Sequence, residues 1–178
     1  MKAFNKYPNV ILVSPSKIKQ LTSVNENVEE SDMLTAALNA QNTDLQPVIG
    51  SRLLWKLQEL VSEGTLSLEA NMPYKVLLDQ YVQPYLCTMS ALKLVPLISF
   101  KMRNKGLVST SDDKVSNSSW TEMKSFMELL RTESTTYANL LKEFLTKNYS
   151  LFPELTSTEN SLIGSNRNEQ APLTWVLD

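Results

Sequence analysis

The stretch YKVLLDQYVQPYLCTMSALKLVPLISFKM, residues 74–102, decides the fold of this chain. Apolar side chains recur at helical spacing at its start, and over residues 86–100 they cover nearly every side of a helix. A helix that is apolar all round lies inside a core or crosses a membrane. A membrane span needs about 20 apolar residues with few polar interruptions, and Pro84, Lys93 and Pro96 interrupt this one. We therefore expect a buried central helix that the two prolines kink or split.

Two helices are predicted before this stretch from their apolar spacing and their end signals. The first begins near Asn27, because Glu30 three residues later gives the spacing of a capping box. One face of that helix is marked by residues that recur at helical spacing: Leu34, Ala37, Leu38, Gln41 and Leu45. Pro47 and Gly50 break the run. The second begins at Ser51 as a capping residue and ends at Gly64, because glycine favours helix C-termini.

A last helix is predicted over residues 120–149. Its near-heptad apolar stripe consists of Met123, Met127, Leu130, Tyr137, Leu141 and Phe144. Residues 107–119 (LVSTSDDKVSNSS) precede it as an exposed loop, or as a hairpin with its tip at Asp112-Asp113. A polar connection of this length is uncommon in a compact helical domain unless it is functional or disordered.

The N-terminal region has one short apolar run, NVILV at residues 9–13, ahead of Ser14-Pro15. Two interpretations are open: an extended arm or edge strand, and a buried segment that packs on its own domain. Residues 16–21 have the length for a single helical turn.

Composition restricts the chemistry that this chain can perform. It contains no His, a single Cys (Cys87), only 4 Gly and a net charge of −2. Without His, Ser-His and Cys-His nucleophile pairs are excluded, and one Cys forms neither a thiolate cluster nor an internal disulfide. The carboxylates Glu29, Glu30 and Asp32 leave a metal-dependent enzyme as an alternative, although a solvated helix start explains them better. We therefore expect no enzyme and no cofactor.

A basic cluster follows the central helix: Lys101, Arg103 and Lys105. These cations either complement the dipole at a helix C-terminus and remain solvated, or face an acidic partner or a phosphate backbone. The second interpretation supports an alternative function, a small helical nucleic-acid-binding regulator, although no helix-turn-helix signature accompanies the cluster.

The C-terminal region is rich in Ser, Thr, Asn and Glu, which is typical of a flexible tail. It nevertheless ends in an apolar group around Trp175: Leu173, Trp175, Val176 and Leu177. Leaving these side chains in water is unfavourable, so we expect them to dock, either on their own domain or on an adjacent subunit.

Together these patterns predict a mainly α protein, a bundle of about four to five helices with an extended N-terminal segment, an inserted loop or hairpin, and a C-terminal arm. We divide the chain into an N-terminal arm and short helix (1–26), a helical core (27–149) with a loop at 104–119, and a C-terminal arm (150–178).

Five stretches, in order along the chain, resemble a family of head–tail connector (neck ring) proteins of tailed bacteriophages, including the crAss-like phages of Bacteroidetes. None of the five is a catalytic motif. They are SPSKIKQLTSVNENV (14–28), AALNAQNTDLQPVIGSRLLWKLQEL (36–60), YKVLLDQYVQPYL (74–86), LKLVPLISFKMRNKGLV (92–108) and TWVL (174–177).

The resemblance implies a virion structural protein, made in the bacterial cytoplasm and located at the head–tail junction. Its subunits would form a twelve-fold ring between the portal and other neck or tail proteins, with a lumen for genomic DNA and no membrane partner. Asn104-Lys105-Gly106 would be a turn that presents the following loop, with Asp112 and Asp113, to a neighbouring ring.

Overall fold

A computed structural model describes residues 5–24, 27–103, 106–109 and 120–156. Its longer elements, in chain order, are α1 (Pro15–Leu21), α2 (Glu30–Ala40), a first π segment (Gln41–Leu45), α3 (Gln46–Ile49), α4 (Ser51–Ser62), α5 (Met72–Leu77), a second π segment (Leu78–Val82), α6 (Gln83–Ser99), β1 (Phe100–Arg103), β2 (Gly106–Ser109) and α7 (Trp120–Lys147). Short 3-10 turns lie at Glu69–Asn71, Tyr149–Leu151 and Pro153–Thr156. The predicted mainly α bundle is confirmed.

The central helix is α6, which packs against α1, α2 and α7. Residues 85–91 are all buried, as expected for a helix that is apolar on every side. No helix among the described residues is both long and apolar enough to cross a membrane. The prediction of a buried central helix is therefore confirmed for residues 85–91, whereas residues 95–98 are half-buried or exposed.

Two prolines that were expected to break or split helices lie instead within continuous helical runs. Pro47 and Pro84 are each the second residue after a π segment. A proline ring clashes with the carbonyl four residues earlier in a regular α-helix. At both sites that carbonyl belongs to a π segment, where Gln46 N–H bonds to Gln41 O and Gln83 N–H bonds to Leu78 O, five residues back. The wider turn accommodates each proline, so the first helical run passes through Pro47 and ends before Gly50, the second predicted breaking residue. Neither Pro84 nor Pro96, which lies inside α6, splits the central helix.

The predicted starts of two helices need correction. The helix expected from Asn27 begins at Glu30, and Glu29 occupies the N-cap position without a side-chain capping bond. Gly50, not Ser51, occupies the N-cap position of α4, with φ 82° and ψ 154°. These angles are open to glycine and strained for other residues. The predicted end of α4 is confirmed, because Gly64 follows it with φ 68°.

The hydrophobic core includes residues on both sides of the segment 27–149. Leu12 and Val13 are 3% exposed and Phe152 is fully buried, and all three belong to the same hydrophobic core as the bundle. The run at residues 9–13 is therefore a buried segment, not a free arm, and the core continues past residue 149. On α7 the predicted apolar stripe is confirmed: its members are buried or half-buried.

A two-stranded antiparallel hairpin follows α6. Strands β1 and β2 pair Lys101 with Val108 and Arg103 with Gly106. The central helix therefore ends at Ser99, before the basic cluster, and Lys101 and Arg103 lie on a strand instead of a helix end. Residues 106–109 therefore form a strand instead of loop, and the expected tip at 112–113 lies outside the described residues.

Candidate interaction surfaces

Three glutamine side chains from different helical runs converge on the backbone of the N-terminal segment. Gln41 accepts a hydrogen bond from Leu12 N–H through Oε1 (2.9 Å) and donates to Val10 O through Nε2 (3.0 Å). Gln58 Nε2 donates to the same Val10 carbonyl (2.8 Å), and Gln83 Nε2 donates to Leu12 O (3.3 Å). We call the surface formed by Gln41, Gln58 and Gln83 the glutamine slot.

The slot is buried, and the amide groups of its two innermost glutamines are paired. Gln41 is fully buried and Gln58 is 1% exposed. Gln58 also uses its carbonyl, because Oε1 accepts from Asn5 Nδ2 (3.0 Å). A buried amide without partners is unfavourable by about 1–3 kcal/mol. Since these amides bind backbone groups, their hydrogen bonds to Val10 and Leu12 do not depend on the side chains of those residues.

Apolar side chains anchor the same N-terminal region beside the slot. Leu12 and Val13 are almost fully buried, and Ile18 on α1 is fully buried. Ser14 Oγ caps α1 by accepting from Lys17 N–H (3.2 Å). The slot and these anchors together hold residues 5–21 on the bundle.

Sequence reasoning placed Gln41 on the apolar stripe of the first long helix but did not assign it a partner. The signal was present, because a glutamine on the buried face of a helix needs hydrogen-bond partners. What the pattern could not show was which segment supplies them. The π segments, which precede both Gln-Pro pairs, were also missed.

A partly buried ion pair links the first π segment to the central helix. Lys93 Nζ lies 2.9 Å from Asp44 Oδ2, with the two side chains 29% and 25% exposed. Burial, and secondly the nearby Asp44 carboxylate, raise the pKa of Tyr85 to about 12. The Lys93 ammonium thus has a local structural partner.

The start of the C-terminal region is fixed to the bundle by aromatic contacts. The Phe152 ring packs edge-on against Tyr74, with centroids 5.4 Å apart, and Phe144 stacks on Tyr81 at 4.2 Å. Tyr74 Oη donates to the Glu154 carboxylate, 3.0 Å from each oxygen. Burial and the Glu154 charge raise the pKa of Tyr74 well above its usual value. These contacts fix residues 152–154 on the bundle.

One flank of α7 presents large apolar side chains to solvent. Phe126, Leu129 and Leu140 are 40%, 54% and 45% exposed. Helical spacing places all three within one narrow arc beside the buried stripe, over about 21 Å of helix length. We call Phe126, Leu129 and Leu140 the α7 flank. Phe126 and Leu129 lie one turn apart, and Leu140 lies about three turns further along the same arc. Neighbouring exposed apolar side chains mark interaction surfaces more often than isolated ones do.

The predicted contact residues divide into those on the hairpin and those outside the described residues. Lys101 and Arg103 lie on β1, two residues apart, and Gly106 begins β2. Outside the described residues lie Asn104, Lys105, Asp112, Asp113, Leu173, Trp175, Val176 and Leu177. The basic cluster and the C-terminal apolar group therefore stay predictions.

The carboxylates considered as metal ligands lie at the start of α2, where Glu29 and Glu30 are exposed. Among the described residues, no group of three or more Cys, Asp or Glu side chains is placed to hold a metal ion. The Cys87 thiol is fully buried in α6, and burial raises its pKa to about 12. Such a thiol stays protonated near neutral pH.

Comparison with known proteins finds one family. No curated protein and no solved structure matches the chain. A family of unknown function, DUF6712, matches residues 45–163, about two thirds of the chain. This range includes Gln58, Gln83 and α7 and begins after Gln41 and the N-terminal segment. The chain therefore belongs to the DUF6712 family.

Proposed function

We propose that this chain is a structural subunit of a ring in the neck of a tailed bacteriophage, where it joins the portal to the tail and leaves a channel for DNA. In this proposal the chain binds its neighbours and performs no catalysis. The proposed type of assembly, a neck ring, is based on the resemblance of five ordered stretches to neck ring proteins. The α7 flank is the structural observation that carries the proposal, because it offers a neighbouring copy an apolar surface.

A closed ring of identical subunits needs two different patches on each copy. The α7 flank supplies one apolar patch. Exposed Leu34 on α2, at 39%, and Leu68 near α5, at 58%, lie on other elements. The apolar group around Trp175, at the end of the C-terminal arm, adds a second contact for an adjacent subunit or ring. These features favour head-to-tail association over an isolated subunit.

The interface is tested by placing a charge on the α7 flank. Leu129→Lys should prevent ring formation, because burying an unpaired ammonium at an interface is strongly unfavourable. Thr135→Lys is the matched control, since Thr135 is exposed and lies about 120–180° around the same helix from the three residues of the α7 flank. Circular dichroism should show both variants folded. If Leu129→Lys assembles as well as Thr135→Lys, the α7 flank is not the interface.

The location is tested by electron microscopy of the virion neck at side-chain detail. The proposal expects a ring of this chain between portal and tail, and its absence from purified virions would sink the proposal. Salt-dependent DNA binding by the isolated protein, lost when Lys101, Arg103 and Lys105 are neutralised, would favour the regulator instead.

A further inference from the structure

The N-terminal unit, residues 5–21, is held by the bundle in the way that a protein holds a peptide ligand. Its backbone bonds to itself are local, such as Val10 N–H to Tyr7 O and Ile18 N–H to Ser14 O. Its bonds to the bundle run from the side chains of the glutamine slot to the backbone at Val10 and Leu12. No sheet or shared helix joins the unit to the rest of the described residues.

At its outer end the unit makes exposed polar contacts with α4. Lys6 Nζ lies 3.9 Å from Glu63 Oε1, and Tyr7 Oη donates to the same carboxylate (3.2 Å). Both side chains of the ion pair are largely exposed, so this pair contributes little stability. Binding of the unit therefore depends on the slot and on the anchors Leu12, Val13 and Ile18.

The segment that connects the N-terminal unit to α2 is long enough for the unit to extend toward an adjacent subunit. Residues 22–29 separate the end of α1 from the start of α2. Eight extended residues cover up to about 26 Å. The slot of an adjacent copy offers the same amides and the same apolar pockets. Exchange thus preserves each contact that residues 5–21 make with the bundle, whereas Val24 and Val28 in the connector pack against the core and would give up part of that packing. The equilibrium depends on this loss and on the local concentration of neighbouring slots.

We propose that in the assembled ring the N-terminal unit of each subunit fills the glutamine slot of the adjacent subunit. This inference rests on the proposed ring. The occupant is a second copy of residues 5–21, because backbone recognition at Val10 and Leu12 and the pocket for Ile18 match that segment. Exchange links each subunit to the next through buried contacts that a monomer already contains.

Zero-length carbodiimide cross-linking of the full-length protein tests the exchange, since Lys6 and Glu63 form an ion pair that the reagent converts to an amide. Assembled particles are cross-linked and separated by denaturing electrophoresis, and linked peptides are identified by mass spectrometry in each band. Lys93 and Asp44 both lie within the bundle, so their link is the internal control for contact within one chain. Glu63→Gln should abolish the Lys6 link and keep the control.

Exchange predicts that the Lys6–Glu63 link is found in bands of two or more chains and is missing from the single-chain band, while the Lys93–Asp44 link is present in both. Dilute monomer should give both links within one chain. A Lys6–Glu63 link in the single-chain band of assembled particles overturns exchange and leaves the ring intact. A protein that stays monomeric at every concentration and beside its portal overturns both proposals.

Discussion

Replacing Gln41 with leucine removes two hydrogen bonds from a buried position while nearly preserving side-chain volume. Leu12 N–H loses its acceptor, and this amide belongs to a residue that is only 3% exposed. An orphaned buried donor is unfavourable by about 1–3 kcal/mol. The Val10 carbonyl loses one donor but keeps the hydrogen bond from Gln58 Nε2, so this second loss adds at most about 1 kcal/mol to the destabilisation. We therefore expect Gln41→Leu to lower the free energy of unfolding by about 2–3 kcal/mol.

Urea unfolding followed by circular dichroism measures this loss, and hydrogen exchange at the Leu12 amide locates it. For a chain of this size the expected fall in Tm is about 5–10 °C. Gln80→Leu is the matched control, because Gln80 is an exposed glutamine in the second π segment. It should change stability by no more than about 0.5 kcal/mol. A loss below that value for Gln41→Leu, with Leu12 exchange unchanged, would refute the slot.

A second substitution at the same position separates hydrogen bonding from packing. In Gln41→Glu an ionised carboxylate faces the Val10 carbonyl and cannot donate to it, whereas the protonated acid can. The folded state should therefore raise the pKa of the new carboxyl. Stability of this variant should rise as pH falls below neutrality, relative to wild type. If the stability of wild type and variant depended on pH in the same way, the hydrogen bond from the residue 41 side chain to the Val10 carbonyl would be contradicted.

Four further outcomes follow from single positions or segments. Gly50→Ala should lower the free energy of unfolding, measured in urea, by about 1–3 kcal/mol, because φ 82° with ψ 154° is strained for alanine. Gly64→Ala should lower it by about 1 kcal/mol, because the space around its Cβ position is open. A larger loss for Gly64→Ala than for Gly50→Ala would contradict these backbone angles. Tyr74→Phe should lose about 1 kcal/mol through the Glu154 bond, whereas the exposed Tyr149→Phe should be neutral; equal effects would discount that bond. The folded chain raises the Cys87 pKa from 9.0 to about 12, so stability should be constant below pH 9 and fall above it by up to about 1.4 kcal/mol per pH unit. The fall in stability with pH should be shallower in Cys87→Ala. The same fall in both proteins would rule out Cys87 as its cause. Deleting residues 171–178 should weaken assembly and leave urea unfolding unchanged, and normal rings from the shortened chain would count against docking of Trp175 on a neighbour.

The central helix was predictable because its signal is local. Residues 85–91 are apolar or small on every side, and such a helix has no stable position except inside a core. The α7 stripe was predictable for the same reason, since its spacing alone defines the buried face. These two patterns establish the mainly α bundle before any tertiary contact is known.

The glutamine slot was not predictable because it depends on contacts between residues far apart in sequence. Gln41, Gln58 and Gln83 belong to different helical runs and meet only after the bundle has packed around residues 10–12. The π segments escaped prediction for a related reason. Proline normally ends a helix, and the compensating wide turn before Pro47 or Pro84 has no simple sequence pattern.

Native mass spectrometry of the purified chain, alone and mixed with its portal, tests the central claim most directly. We expect a single closed species at about twelve times the 20.1 kDa chain mass, formed alone or on the portal. A 20.1 kDa monomer that persists at high concentration and beside the portal would contradict the account.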